Sequence, residues 1–171
     1  MNINKIPLGK NFPNEVNAII EIPQNQIGIK YEIDKESGAI FVDRFLSTPM
    51  FYPANYGFIP NTLGDDGDPL DILVISPFAI MPGAVINARI IGVLEMEDEK
   101  GMDEKIIAVP SSSISKEYDD IKDIENLPQN IKNQIKHFFE RYKDLEDGKW
   151  VKVKNFHSKK TAIEIIEKCK Q

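Results

Sequence analysis

Cysteine is nearly absent. Among 171 residues there is only Cys169, two positions from the C-terminus. A lone cysteine makes neither an internal disulfide nor a zinc cluster, which fits a reducing compartment. Histidine is almost as scarce, at His137 and His157. Neither has a metal-ligand neighbour in sequence, so both are expected at the surface or at a helix end. Long apolar runs are missing as well: residues 72–75 fall far short of a bilayer span, and residues 1–10 hold no apolar stretch of signal-peptide length. Positive charge is in deficit, with 21 Lys and Arg against 27 Asp and Glu and a net charge of −6. Such a chain gains little from the phosphate neutralisation that drives nonspecific nucleic-acid binding. Repeats, low-complexity linkers and phosphate-binding glycine loops are also lacking; the serine run 111–113 is too short to count as a linker.

What is present is enough apolar residue, 42% of the chain, to build one domain over residues 1–171 with a real core. The expected protein is soluble and cytoplasmic, with no membrane partner. The first two thirds read as short strands punctuated by Gly and Pro, at 16–22, 27–33, 39–45, 71–76, 84–95 and 105–109. Regular short strands of this kind predict a small closed or nearly closed barrel. In 28–33, Lys30 and Glu32 alternate with Ile29, Tyr31 and Ile33, so the two charges share one face. The period then changes. Ile131, Ile135, Phe138, Phe139 and Tyr142 recur at helical spacing after Pro128. A short strand at 150–153 precedes a second helix, for which Ser158 is the expected cap. The fold class is α+β, mainly β.

The most informative stretch is Asp65-Asp66-Gly67-Asp68-Pro69-Leu70-Asp71, with four carboxylates in seven positions. Gly67 and Pro69 favour a shaped turn over a helix, and the apolar strand that follows Asp71 would anchor it. Crowded carboxylates raise one another's pKa unless a cation neutralises them, and hard oxygen donors suit Mg²⁺, Mn²⁺ or Ca²⁺. The plain alternative is a solvated acidic turn. A calcium loop of the EF-hand type is excluded, because the positions that would need an oxygen ligand, a glycine and a glutamate hold Leu70, Asp71 and Pro77. A second acidic patch, Glu95, Glu97, Asp98, Glu99, Asp103 and Glu104, reads alone as a charged hairpin. It matters only if the fold brings it beside Asp66 and Asp71.

Other residues suggest an anion as ligand. Lys30, Arg44 and Lys143 can bind phosphate oxygens, and the hydroxyls of Tyr52, Tyr56 and Tyr142 can donate to them. Each has an ordinary alternative, as core aromatic or as surface ion pair.

Taken in order, these residues resemble the soluble inorganic pyrophosphatases of the single-domain, bacterial type. Asp66-Gly67-Asp68-Pro69-Leu70-Asp71-Ile72 is similar to that family's signature. Further similar segments are Glu21-Ile22-Pro23, Lys30-Tyr31-Glu32, Asp43-Arg44, the run from Tyr52 to Pro60, Ala108-Val109-Pro110, Ser115-Lys116-Glu117-Tyr118, and the stretch from His137 to Trp150. The resemblance implies a five-stranded OB-like closed barrel with flanking helices. It implies hydrolysis of pyrophosphate to two phosphates by a metal-activated water, with Asp68 as general base. Several Mg²⁺ ions per subunit would be held by Asp66, Asp71, Asp98 and Asp103, with Glu21 and Glu32 lining the basin. Lys30, Arg44, Tyr56, Lys105, Tyr142 and Lys143 would contact the phosphates, and Tyr52 would support them. It further implies a homohexamer. The competing readings are a Mg²⁺-dependent phosphohydrolase acting on nucleotides or polyphosphate, and an OB-fold nucleic-acid binder. The missing nucleotide motifs weigh against the first and the net charge against the second.

Overall fold

The computed structural model describes residues 2–99 and 101–171. Nine strands and two α-helices follow in the order β1 (Glu15–Ile22), β2 (Ile29–Ile33), β3 (Ile40–Phe45), β4 (Asn55–Phe58), β5 (Asp71–Val74), β6 (Val85–Asp98), β7 (Gly101–Met102), β8 (Lys105–Pro110), α1 (Gln129–Arg141), β9 (Val151–Ser158) and α2 (Lys159–Cys169). Two short 3-10 turns, Ile3–Lys5 and Ile124–Asn126, complete them. The chain is therefore mainly β with two helices, as the change of hydrophobic period predicts.

Strands β1, β4, β5, β8 and β6 pair in that order, and β1 also pairs with β6, so the five-strand sheet closes on itself. β7 and β9 add to the long strand β6, while β2 and β3 form a separate two-stranded sheet. β5 and β8 are parallel and the other pairings antiparallel. The apolar residues of β5 and β8 are buried on both faces, which is why they read as continuous runs. Ile72, Val74, Ile106 and Ala108 pack on Ala162 and Ile166 of α2. Leu73, Ile107 and Val109 pack on Ile135, Phe138 and Phe139 of α1. The Ser158 side chain accepts from the Thr161 N–H and caps α2, as expected. Pro128 stands at the N-cap of α1.

Three features escape the sequence pattern. β4 lies in the Tyr-Pro-Ala-Asn-Tyr-Gly-Phe segment, whose glycine and proline argue against a helix and whose pattern shows no strand alternation. A Cβ on Gly57 would stand 1.9 Å from the Ile19 carbonyl oxygen, so glycine is needed there for the β1–β4 approach. β6 and β9 run further than the alternation suggests, to Asp98 and Ser158. Finally, the register slips in four pairings, and in two of them the extra residues are Glu21 of β1 and Asp43 of β3. Bulges re-aim side chains, and both of these residues are carboxylates.

Candidate active site

Residues 59–71 form a loop folded on itself. The Thr62 hydroxyl accepts from the Leu70 N–H at 3.0 Å and donates to the Ile59 carbonyl at 2.7 Å. The Gly64 N–H reaches the Asp68 carbonyl, and the Asp68 N–H reaches Asp66 Oδ1. Gly67 sits at φ +89°, a left-handed conformation that glycine adopts without steric cost. Asp66 and Asp68 project exposed from this loop. Asp71 opens β5 opposite Lys105, which opens β8 in parallel register. That register places the buried Lys105 ammonium between the Asp71 and Asp103 carboxylates, in short contact with both. Burial alone would depress the pKa of Lys105; Asp71 and Asp103 overcome it and hold the ammonium charged.

The second acidic patch divides by strand alternation. Glu95 and Glu97 of β6 turn to Lys154 of β9, and Glu95 also meets His157 Nε2 at 2.9 Å. Asp98 faces the other way and accepts from Lys143 Nζ at 2.9 Å. Glu99 lies between Lys143 and Lys149, and despite the opposing effect of burial its carboxyl is held down to about 2. Glu104 lines a smaller acidic cleft beside Asp65 and Asp66.

One open cleft of about 200 Å³ collects Glu21, Glu32, Asp66, Asp68, Asp71, Asp98 and Asp103 with Lys30, Arg44, Tyr56, Lys105, Tyr142 and Lys143. These residues span positions 21 to 143, and the fold brings every one of them to a single basin. Tyr52 does not line it. It is buried behind the wall, with its ring centroid 5.8 Å from Tyr56 and 4.7 Å from Phe138. Burial, together with Asp71 and Asp103, raises the Tyr56 phenol well above its ordinary value, and burial raises that of Tyr142, so both remain O–H donors. Glu21 is buried, and burial lifts its carboxyl, opposed by Lys35. Arg44 lies between Asp43, at 2.9 Å, and Glu146, at 3.4 Å.

Lys35, Phe58, Pro69, Glu99, Met102 and Lys149 line the cleft without having been singled out from sequence as site residues. Lys149 and Glu99 would have emerged from knowing that the end of β6 meets the segment after α1. For Lys35 the sequence carries no signal. His137 is exposed and His157 is engaged with Glu95, outside the cleft.

Among the described residues no three carboxylate, His or Cys side chains are grouped closely enough to hold an ion as they stand. The lysines explain this: Lys105 stands between Asp71 and Asp103, and Lys143 holds Asp98 and Glu99. An ammonium seated between two carboxylates shows that the basin accommodates positive charge. Eight carboxylates against six Lys and Arg line it, an excess of negative charge that would repel an anion without further cations. The donors are all carboxylate oxygens, a set suited to hard divalent ions such as Mg²⁺.

The sequence matches the family model described as "Inorganic pyrophosphatase" over residues 18–171. It is 61% identical over 169 residues to an inorganic pyrophosphatase of Campylobacter jejuni, covering 99% of this chain and 97% of the relative. The fold superposes on the inorganic pyrophosphatase of Helicobacter pylori with a TM-score of 0.92 at 52% identity, covering 96% of each chain. The Thermus thermophilus inorganic pyrophosphatase gives 0.93 at 46% identity, covering 99% of this chain and 97% of that one.

Proposed function

The chain belongs to the inorganic pyrophosphatase family, and on that premise we propose that it hydrolyses pyrophosphate to two orthophosphates with Asp68 as general base and an aspartate cluster holding Mg²⁺. Membership makes it a hydrolase. The observation that carries the finer reading is the gathering of Asp66, Asp68, Asp71, Asp98 and Asp103 with Lys30, Arg44, Lys105 and Lys143 in one cleft.

Asp66, Asp71, Asp98 and Asp103 are the Mg²⁺ ligands in this reading, and Glu21 and Glu32 line the same basin. Bound Mg²⁺ supplies the positive charge that an acidic basin needs to receive a polyanion, and lowers the pKa of water. Asp68, exposed at the rim, takes the proton of the attacking water. Water adds to one phosphorus as the bridging P–O bond breaks, and the second phosphate leaves with that oxygen. Lys30, Arg44, Lys105 and Lys143 stabilise charge on the phosphates. Lys105 reaches them by rotating away from Asp71 and Asp103. The Tyr56 and Tyr142 hydroxyls donate to the same oxygens, and Tyr52 supports Tyr56 from behind.

The closed five-strand pairing supports an OB-like barrel, with the cleft at its mouth. We place the protein in the cytoplasm; among the described residues no helix is long and apolar enough to cross a membrane. A homohexamer completes the reading; the exposed apolar side chains of β3, Ile40, Phe41, Val42 and Phe45, offer a surface that self-association would cover. A panel of pyrophosphate, tripolyphosphate and a nucleoside triphosphate with Mg²⁺ tests the substrate assignment. Pyrophosphate should be cleaved fastest by far; a nucleotide turned over faster would overturn it.

A further inference from the structure

The hairpin β2–β3 carries Lys30, Glu32 and Arg44 to the cleft, yet it is a two-stranded sheet separate from the closed one. Isolated hairpins are marginal in water, so the aim of these side chains depends on what fastens the hairpin. One fastening lies at the end of β2. Glu21, the bulged residue of β1, sends Oε1 across to the Ile33 N–H at 2.8 Å. The same oxygen accepts from Lys35 Nζ at 2.9 Å. Lys35 also donates to the Ile33 carbonyl at 2.9 Å and lies 3.9 Å from the centroid of the Phe58 ring, on β4. One ammonium thus joins β1, β2 and β4, with a carboxylate that is only 7% exposed as its partner.

We propose that Lys35 is a positioning residue: its pairing with Glu21 over the Phe58 ring fixes the β2–β3 hairpin to the closed sheet and so aims Lys30 and Arg44 into the cleft. Both Glu21 contacts fall on Oε1, so the clamp also fixes the direction of Oε2. The ammonium fits this place because it donates to a carboxylate and a carbonyl while resting on an aromatic face. A neutral side chain would leave Glu21 as a buried carboxylate with one amide donor, a state proteins avoid.

The effect on phosphate binding rests on the proposed function, so the test has two arms. In the first, hydrogen exchange is followed by mass spectrometry in wild type, Lys35→Met, Lys35→Gln and Lys35→Arg. Peptides spanning 29–45 should exchange about tenfold faster in the Met and Gln variants, with β5 and β8 unchanged and Lys35→Arg near wild type. In the second, steady-state hydrolysis of pyrophosphate should show KM raised about tenfold in the Met and Gln variants, kcat changed less than about threefold, and rescue by Lys35→Arg. A loss of folded protein alone would lower apparent kcat and leave KM unmoved. If Lys35→Met does not fold, Lys35→Gln against Lys35→Arg decides on the same criteria. Unchanged exchange over 29–45 overturns the clamp. Altered exchange with unchanged KM overturns the positioning role. A wild type that leaves pyrophosphate intact refutes the proposed function, and the exchange arm still decides the clamp.

Discussion

The acidic turn at 65–71 and the acidic hairpin at 95–104 are similar in composition and opposite in how their charges are held. In the hairpin, Asp98 and Glu99 are gripped by Lys143, Asp103 by Lys105, and Glu95 and Glu97 by Lys154. In the turn, Asp71 alone is gripped by a buried lysine; Asp65 lies 3.8 Å from the exposed Lys168, and among the described residues no ion pair reaches Asp66 or Asp68. In the hairpin, Asp98, Glu99 and Asp103 belong to the fold as well as to the site, while Glu95 and Glu97 lie outside the cleft. The turn sets its charges at the rim, shaped by backbone hydrogen bonds and left to chemistry. A change at Asp66 or Asp68 should therefore act on turnover alone, and a change at Asp98, Glu99, Asp103 or their lysines on turnover and stability together.

The largest effect should come from Asp68→Asn. Turnover should fall by about 10²–10⁴, the usual worth of a positioned general base. Its unfolding midpoint should stay at the wild-type value, because the side chain is exposed. Near-normal phosphate release by this variant would remove Asp68 from the mechanism. Next is Lys143→Ala, on the gripped side. The KM for pyrophosphate should rise about tenfold, equivalent to about 1.4 kcal/mol. Urea unfolding should show a loss of about 1 kcal/mol, because Asp98 loses its buried partner. An unchanged urea midpoint would blur the contrast between the two segments. Asp71→Asn belongs to both classes. The Mg²⁺ concentration for half-maximal rate should rise severalfold, and stability in EDTA should fall by about 1 kcal/mol, as one carboxylate partner of Lys105 is lost.

The smallest effect concerns Glu95, which faces away from the cleft. Hydrogen bonds from His157 and Lys154 hold its carboxyl below the ordinary 4.5. A depressed folded-state pKa contributes stability above the ordinary value, and that contribution is lost as pH falls through the folded one. Glu95→Gln should lower stability near neutral pH by about 0.5 kcal/mol or less. The difference from wild type should close as pH drops below 4.5, which thermal melts at several pH values would show.

Most of the secondary structure was legible because hydrophobic period and turn chemistry agreed. The alternation at β2, the apolar run of β5 and the helical spacing of α1 each had one reading. β4 was hidden because its four residues are too few to show a period, and Gly57, which lets β1 approach, interrupts the apolar pattern. The acidic turn was visible as a cluster, but composition alone favoured a solvated loop. What could not be read was proximity. The parallel register that sets Lys105 against Asp71, and the bulge that turns Glu21 inward, arise from pairings between distant strands. Lys35 was invisible for the same reason: its partners are a bulged residue on β1 and a ring on β4.

Carboxylates remote in sequence share one basin, which in the proposed function becomes a receptor for pyrophosphate when it holds divalent cations. Phosphate release from pyrophosphate, followed with Mg²⁺, after EDTA, and after Mg²⁺ is restored in excess, tests it most directly. Release should be rapid, abolished by the chelator and fully restored with excess Mg²⁺. Release indifferent to EDTA, or a folded, Mg²⁺-replete protein that leaves pyrophosphate uncleaved, would contradict it.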